Sequence, residues 1–244
     1  MARRDVLVLC YHGVARGSRH GEVTPEALRA QLTHLAARGY RWTTFTDAML
    51  SSEPERIAAI TFDDGIASAV EHGLPILEEF GAPGTMFLTV EMLGWGGRVD
   101  AAGAARLAER GWEIGSHTMT HPVLTNADDE TLESELSQSK RALEQLTGCP
   151  CTAVSYPTGR CDERVVAAAE SAGYLAGAEL EGATAARPGP LAWPRVGVRG
   201  DDGLHVFRLK CSRAVRHARS GWARRPIAGL ATGAGRVHRR LRRT

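Results

Sequence analysis

Short apolar runs alternate with stretches of helical periodicity along nearly the whole chain. The runs predict strands at Val6–Cys10, Ile57–Phe62, Thr85–Val90, Glu113–Gly115, Ala153–Tyr156 and Tyr174–Ala178. A further strand is expected after the Pro/Gly/Ala loop from Ala183 to Pro190. Between them lie helices with legible ends. Thr24-Pro25-Glu26 supplies an N-cap, a proline at the first helical position and an early acid, Leu28, Leu32 and Leu35 form one face, and Gly39 stops the helix. A longer helix is expected to open at Asn126, to bury Leu132, Leu136, Leu143 and Leu146, and to end at Gly148-Cys149-Pro150. Alternation of this kind implies a parallel sheet, either open or closed into a barrel.

Composition adds limits. With 43% apolar and 24% charged residues among 244, the chain has the make-up of a globular protein with one substantial core. No apolar run reaches the roughly 18 residues of a membrane span. The N-terminal basic residues and the apolar stretch to Cys10 run straight into Tyr11-His12-Gly13, so they read as a first strand rather than a signal segment, and a cytoplasmic location is expected. The five cysteines (Cys10, Cys149, Cys151, Cys161, Cys211) are odd in number and lack a C-x-x-C pair, which favours reduced thiols. The net charge of +2 hides an asymmetry: 12 of the 30 basic residues and none of the 28 acidic ones lie from Gly203 onward. The part before Gly203 therefore carries −10. A single domain over residues 1–218 is expected, followed by a basic tail over 219–244. Such a tail is either a solvated end or a tether to an anionic membrane surface or an acidic partner. The acidic body argues against nucleic-acid binding.

Three segments carry chemistry, each after an apolar run. Ile60-Thr61-Phe62-Asp63-Asp64-Gly65 ends a strand in two carboxylates. Adjacent carboxylates repel, so either a cation stabilises them or they cap a helix beginning near Ile66. Ser116-His117-Thr118-Met119-Thr120-His121 presents two imidazoles four residues apart, the spacing that one helical turn would bring to one metal ion. Asp64, His117 and His121 would then form a two-histidine, one-carboxylate set. Ser155-Tyr156-Pro157-Thr158-Gly159 is a turn whose N–H groups could face an oxyanion.

The first two motifs resemble those of the polysaccharide deacetylase family, and the match runs in order from roughly residue 5 to 215. Tyr11-His12-Gly13-Val14 and the stretch from Pro194-Arg195-Val196 to Asp201-Asp202 resemble one branch of it. The resemblance implies a distorted (β/α) barrel of seven or eight strands. It implies Asp63 as general base and Asp64, His117 and His121 as ligands of a divalent metal, zinc first, with cobalt, nickel or manganese as alternatives. It implies an N-acetylated sugar as substrate and Tyr156, Pro157, Thr158 and Gly159 as its binding turn. The family's third motif usually opens with an arginine that orients the base; here Ser155 stands in its place, and Arg195 is expected to supply the guanidinium. The family's C-terminal Leu-x-His acid has no counterpart in register, since Leu204-His205 lacks the spacer, so His12 is the candidate acid by position. Two other readings stay open: an amide or imide hydrolase for a small non-sugar substrate, and a catalytically silent glycan-binding relative.

Overall fold

The structure is a computed structural model describing residues 5–16, 21–53, 55–180 and 189–219. The expected tail lies outside the described residues except for Arg219. Eight parallel strands follow the chain: β1 (Asp5–Tyr11), β2 (Arg41–Thr43), β3 (Arg56–Phe62), β4 (Gly84–Leu88), β5 (Glu113–Ser116), β6 (Ala153–Ser155), β7 (Ala176–Leu180) and β8 (Trp193–Gly197). Helices α1 (Pro25–Ala36), α2 (Phe45–Leu50), α3 (Leu74–Glu79), α4 (Ala101–Glu109), α5 (Asp129–Thr147), α6 (Glu163–Ser171), α7 (Leu204–Lys210) and α8 (Arg213–Arg219) connect or follow them.

Seven strands close a barrel, because β1 pairs with both β3 and β8. The eighth, β2, is a short addition. It pairs with Ile57, Ala58 and Ala59 of β3, and β4 takes over from Ile60 to Phe62. Three residues, one of them exposed, give no apolar run, so sequence patterning does not register β2. Strand ends shift slightly from expectation: β4 stops at Leu88, where a 3-10 turn begins at Val90, and β7 starts at Ala176.

The two-residue period of the strands sorts side chains into two cores. Leu7, Leu9, Tyr11, Ile60, Phe62, Met86 and Val154 face the helices. Val6, Val8, Ile57, Ala59, Phe87, Ala153, Ala176 and Ala178 fill the barrel with Phe45, Ala48 and Met49 of α2, which plugs its lower end. Four strand alanines in that interior, Ala59, Ala153, Ala176 and Ala178, leave room for larger groups above them. Gly115 does the same for Phe87, since a Cβ there would sit 2.5 Å from the ring.

Two helices fix the flanks of the site. α1 begins as the sequence indicates, with Thr24 Oγ1 accepting from Ala27 N. α5 opens later than Asn126. Residues Leu124–Asn126 form a 3-10 turn, and Asp128 caps the helix by accepting from Thr131 N. Gly148 closes it with φ 68°. No helix among the described residues is long and apolar enough to cross a membrane.

Candidate active site

The strand period that fills the barrel also aims its chemistry. Cys10, Asp63, His117, Ser155 and Arg195 continue the inward-facing positions of β1, β3, β5, β6 and β8 to the C-terminal mouth, where parallel barrels carry their reactive groups. Arg195 is the largest fully buried side chain among the described residues, and its guanidinium meets Asp63 as a two-pronged fork. Nη1 donates to Oδ1 and Nη2 to Oδ2, each at 2.7 Å. Nη1 also donates to Thr61 Oγ1 (3.0 Å), Nη2 to Ser155 Oγ (2.8 Å) and Nε to the Glu179 carbonyl (3.4 Å). Every donor of the guanidinium is therefore used, and the cation lies over Phe87, 5.5 Å from the ring centroid.

Asp63 is itself buried, and Oδ2 accepts further hydrogen bonds from Ser155 Oγ (3.2 Å) and Cys10 Sγ (3.5 Å). Burial alone would raise its pKa. The charge and hydrogen bonds of Arg195 outweigh that, holding the carboxyl well below the usual carboxylate range. None of these bonds caps a helix. Ser155 braces the arginine that arrives from β8 against Asp63.

Asp64 breaks the strand alternation. Its φ of 65°, followed by Gly65 at 62°, turns the carboxylate out of the barrel wall toward the rim. There Oδ1 lies 3.5 Å from His117 Nε2 and 3.5 Å from His121 Nε2, and the two Nε2 atoms are 3.2 Å apart. A tetrahedral ion held at 2.0–2.1 Å by each donor would require ligand separations of about 3.4 Å. The three residues thus fit a metal centre as they stand. His117 is ready for it: Nδ1 lies 2.7 Å from the Ser155 carbonyl, which can only accept, so Nε2 is left as a bare lone pair. Burial pushes the imidazole pKa down, which also favours the neutral ligand form.

The histidines do not share a helical turn. His117 follows β5, and Thr118 and His121 take left-handed φ values of 70° and 67°, folding His121 back beside His117. A helix would place the imidazoles one turn apart; the reversed loop brings their rings to 4.7 Å between centroids. Glu135 of α5 holds this loop, and sequence reasoning missed it. Its Oε2 accepts from Met119 N (2.8 Å) and Thr120 N (3.0 Å), and Oε1 accepts from Thr120 Oγ1 (2.6 Å). Ser116 Oγ donates to Ser139 one helical turn later, tying β5 to the same helix face. A clue existed: Glu135 and Ser139 sit on the Leu132–Leu136–Leu143 stripe of α5, where an acid needs a buried partner.

The third motif is a 3-10 turn with Thr158 at φ 60°. Tyr156 is fully buried, donating to the Leu191 carbonyl at 2.7 Å, and Pro157 and Gly159 are buried too. These three hold the turn, and only Thr158 of the four offers an exposed surface to a ligand. Among the described residues, Asp64, Thr118, His121 and Thr158 are all the non-glycine positions with positive φ, so backbone strain gathers at this mouth. His12 is exposed beside Cys10 and lines a cavity of about 550 Å³ with Leu180, Arg199 and Asp201. His205 lies on the exposed side of α7.

A family model described as Polysaccharide deacetylase matches residues 51–177, more than half of the chain. The chain belongs to the polysaccharide deacetylase family. The matched span contains the Asp63–Gly65, His117–His121 and Ser155–Gly159 segments. YxkH of Bacillus subtilis (strain 168) is 29% identical over 185 residues, which is 74% of this chain and 66% of that protein. A peptidoglycan-N-acetylglucosamine deacetylase of Bacillus cereus is 32% identical over 121 residues, 49% of this chain and 54% of that protein. The chain thus spans just under two thirds of one relative and about half of the other. The fold matches the Streptococcus pyogenes deacetylase PplD, solved in complex with acetate, at a TM-score of 0.75 and 22% identity over 85% of this chain and 98% of that one. BA0330 of Bacillus anthracis matches at 0.72 and 25% identity over 85% of this chain and 69% of that one. Family and fold agree with the deacetylase barrel implied by the motifs.

Proposed function

We propose that the chain is a metal-dependent hydrolase that removes N-acetyl groups from an N-acetylated sugar or glycan precursor. The observation that carries this reading is the juxtaposition at the barrel mouth of an ionised, fork-bound carboxylate and a preformed three-donor metal set. Family membership supports the acetyl amide as the bond attacked, and the peptidoglycan-N-acetylglucosamine deacetylase among the relatives supports a sugar carrier. Asp64, His117 and His121 would hold the ion, with zinc favoured by two imidazoles and one carboxylate. A bound divalent ion supplies Lewis-acid chemistry, polarising a carbonyl and making water nucleophilic at neutral pH.

The chain's own residues divide the remaining work. Asp63 accepts the proton of the attacking water through an oxygen that Arg195 keeps oriented and charged. Its lowered pKa keeps it available as an acceptor at any working pH, at the expense of basicity. The Thr158 N–H, presented by a left-handed turn, faces the oxyanion of the tetrahedral intermediate. His12, exposed in the mouth cavity, delivers a proton to the leaving sugar amine. No covalent enzyme intermediate is needed.

Acetate release from N-acetylglucosamine oligosaccharides tests this reading. Chelation should abolish it and added Zn²⁺ should restore it, while Asp63→Asn should keep one metal per chain and lose turnover. Metal-free protein with undiminished acetate release would refute the proposal.

A further inference from the structure

At the opposite end of the barrel lies a second, smaller cleft of about 180 Å³. It is enclosed by the starts of β1 and β3, the residues after α1, and helices α7 and α8. Arg38, Arg56, Arg208 and Arg213 line it, against a single carboxylate, Asp5. That carboxylate is already occupied: Arg216 donates to Oδ1, and Tyr40 Oη donates to Oδ2 at 3.0 Å. Arg56 and Arg213 approach it only to 4.0 and 3.9 Å. No ion pair among the described residues uses Arg38 or Arg208.

Four arginines thus line a concavity whose one acid is already bonded by Arg216 and Tyr40. Arg56 is fixed in place, donating to the Arg38 carbonyl at 2.8 Å and lying over the Tyr40 ring. His34 shares this wall. Partial burial, then the positive charges of Arg38 and Arg208, push its imidazole pKa down.

We propose that this cleft binds a phosphate-type oxyanion, as inorganic phosphate or as a phosphomonoester. Guanidinium forks match tetrahedral oxyanions, and an anion would relieve the mutual repulsion of the arginines. Pockets for drug-sized ligands run from about 300 Å³ upward, so this volume suits a small charged head rather than a glycan. Two sources share that chemistry, a soluble phosphate and a phosphorylated lipid headgroup. Helices α7 and α8 bring Arg208 and Arg213 to the same cleft, which suits either.

The test is calorimetric titration of the full chain with inorganic phosphate against matched chloride. The wild-type chain should show one binding event. Arg38→Gln/Arg208→Gln should weaken it on the order of 100-fold, the value of two lost charge-assisted contacts. That variant removes no internal ion pair, so its melting temperature and acetate release should match the wild type. Co-sedimentation with phosphatidic acid vesicles in a phosphatidylcholine background then separates the sources: a loss in the variant assigns the lipid, and unchanged sedimentation assigns the soluble anion. Unaltered phosphate affinity in the variant, or a binding event abolished by Asp64→Asn instead, would overturn the proposal.

Discussion

Replacing Arg195 by lysine keeps the positive charge inside the barrel and removes the fork. In the native protein the guanidinium makes two 2.7 Å bonds to Asp63 and further bonds to Thr61, Ser155 and the Glu179 carbonyl. A lysine Nζ is a single point, able to meet one carboxylate oxygen and one hydroxyl. The second carboxylate bond, one hydroxyl bond and the Nε bond are lost. With the carboxylate bond worth about 1.5–3 kcal/mol and the two bonds to uncharged oxygens about 1 each, the expected destabilisation is about 3.5–5 kcal/mol. This agrees with the cost of disrupting a buried ion pair. In a chain of this size it corresponds to a drop in melting temperature on the order of 10 °C. Asp63 also loses its fixed orientation, and kcat for acetate release should fall by about 10²-fold with KM little changed. Arg195 touches none of Asp64, His117 and His121, so metal content should stay at one per chain. Arg195→Met goes further, removing the main influence that opposes burial, so the Asp63 pKa rises. An Arg195→Lys enzyme with kcat within about twofold of the wild type would refute the orienting role. So would one that loses metal in step with activity.

Glu135→Ala removes all three bonds from α5 to the His117–His121 loop. Metal affinity of the apo protein, followed by Co²⁺ absorption, should fall by about 10–100-fold. Glu135→Gln, which keeps an acceptor for the two backbone N–H groups, should recover much of it; equal affinity in all three proteins would dismiss Glu135 as a loop support. Glu113 is a separate case at the lower end of the barrel, accepting from Thr46 N and Thr85 Oγ1. Burial raises its pKa above the ordinary value despite those bonds. The folded state therefore binds this proton more tightly than the unfolded chain, and stability falls as pH rises from about 4.3 through the folded value. Glu113→Gln should melt higher than the wild type near pH 7, with the gain vanishing below about pH 4. A gain independent of pH would show that charge burial is not its cause.

Much of the fold is legible in local patterns because strand and helix periods are properties of short windows. The run from Ile57 to Phe62 and the stripe of α5 each declare themselves within their own residues. The short strand β2 does not, since its three residues are held by pairing with β3 rather than by any apolar run. The loop between His117 and His121 escaped for a related reason. A spacing of four fits a helical turn, and only Glu135, supplied from α5, shows that a left-handed reversal is held there instead.

By itself, the sequence determined the alternation that makes a parallel barrel. It also placed Asp63, His117 and Ser155 at strand ends, since a two-residue period carries inward-facing side chains up to the mouth, with Asp64 one residue beyond. Only the tertiary structure decided how those residues combine. Arg195 meets Asp63 across 132 positions of chain, and Ser155 braces the pair from β6. The three candidate metal donors reach tetrahedral spacing because two separate segments, the turn after β3 and the loop after β5, close at one rim. Such distances depend on barrel closure, which joins β1 to β8 and is a property of the whole chain.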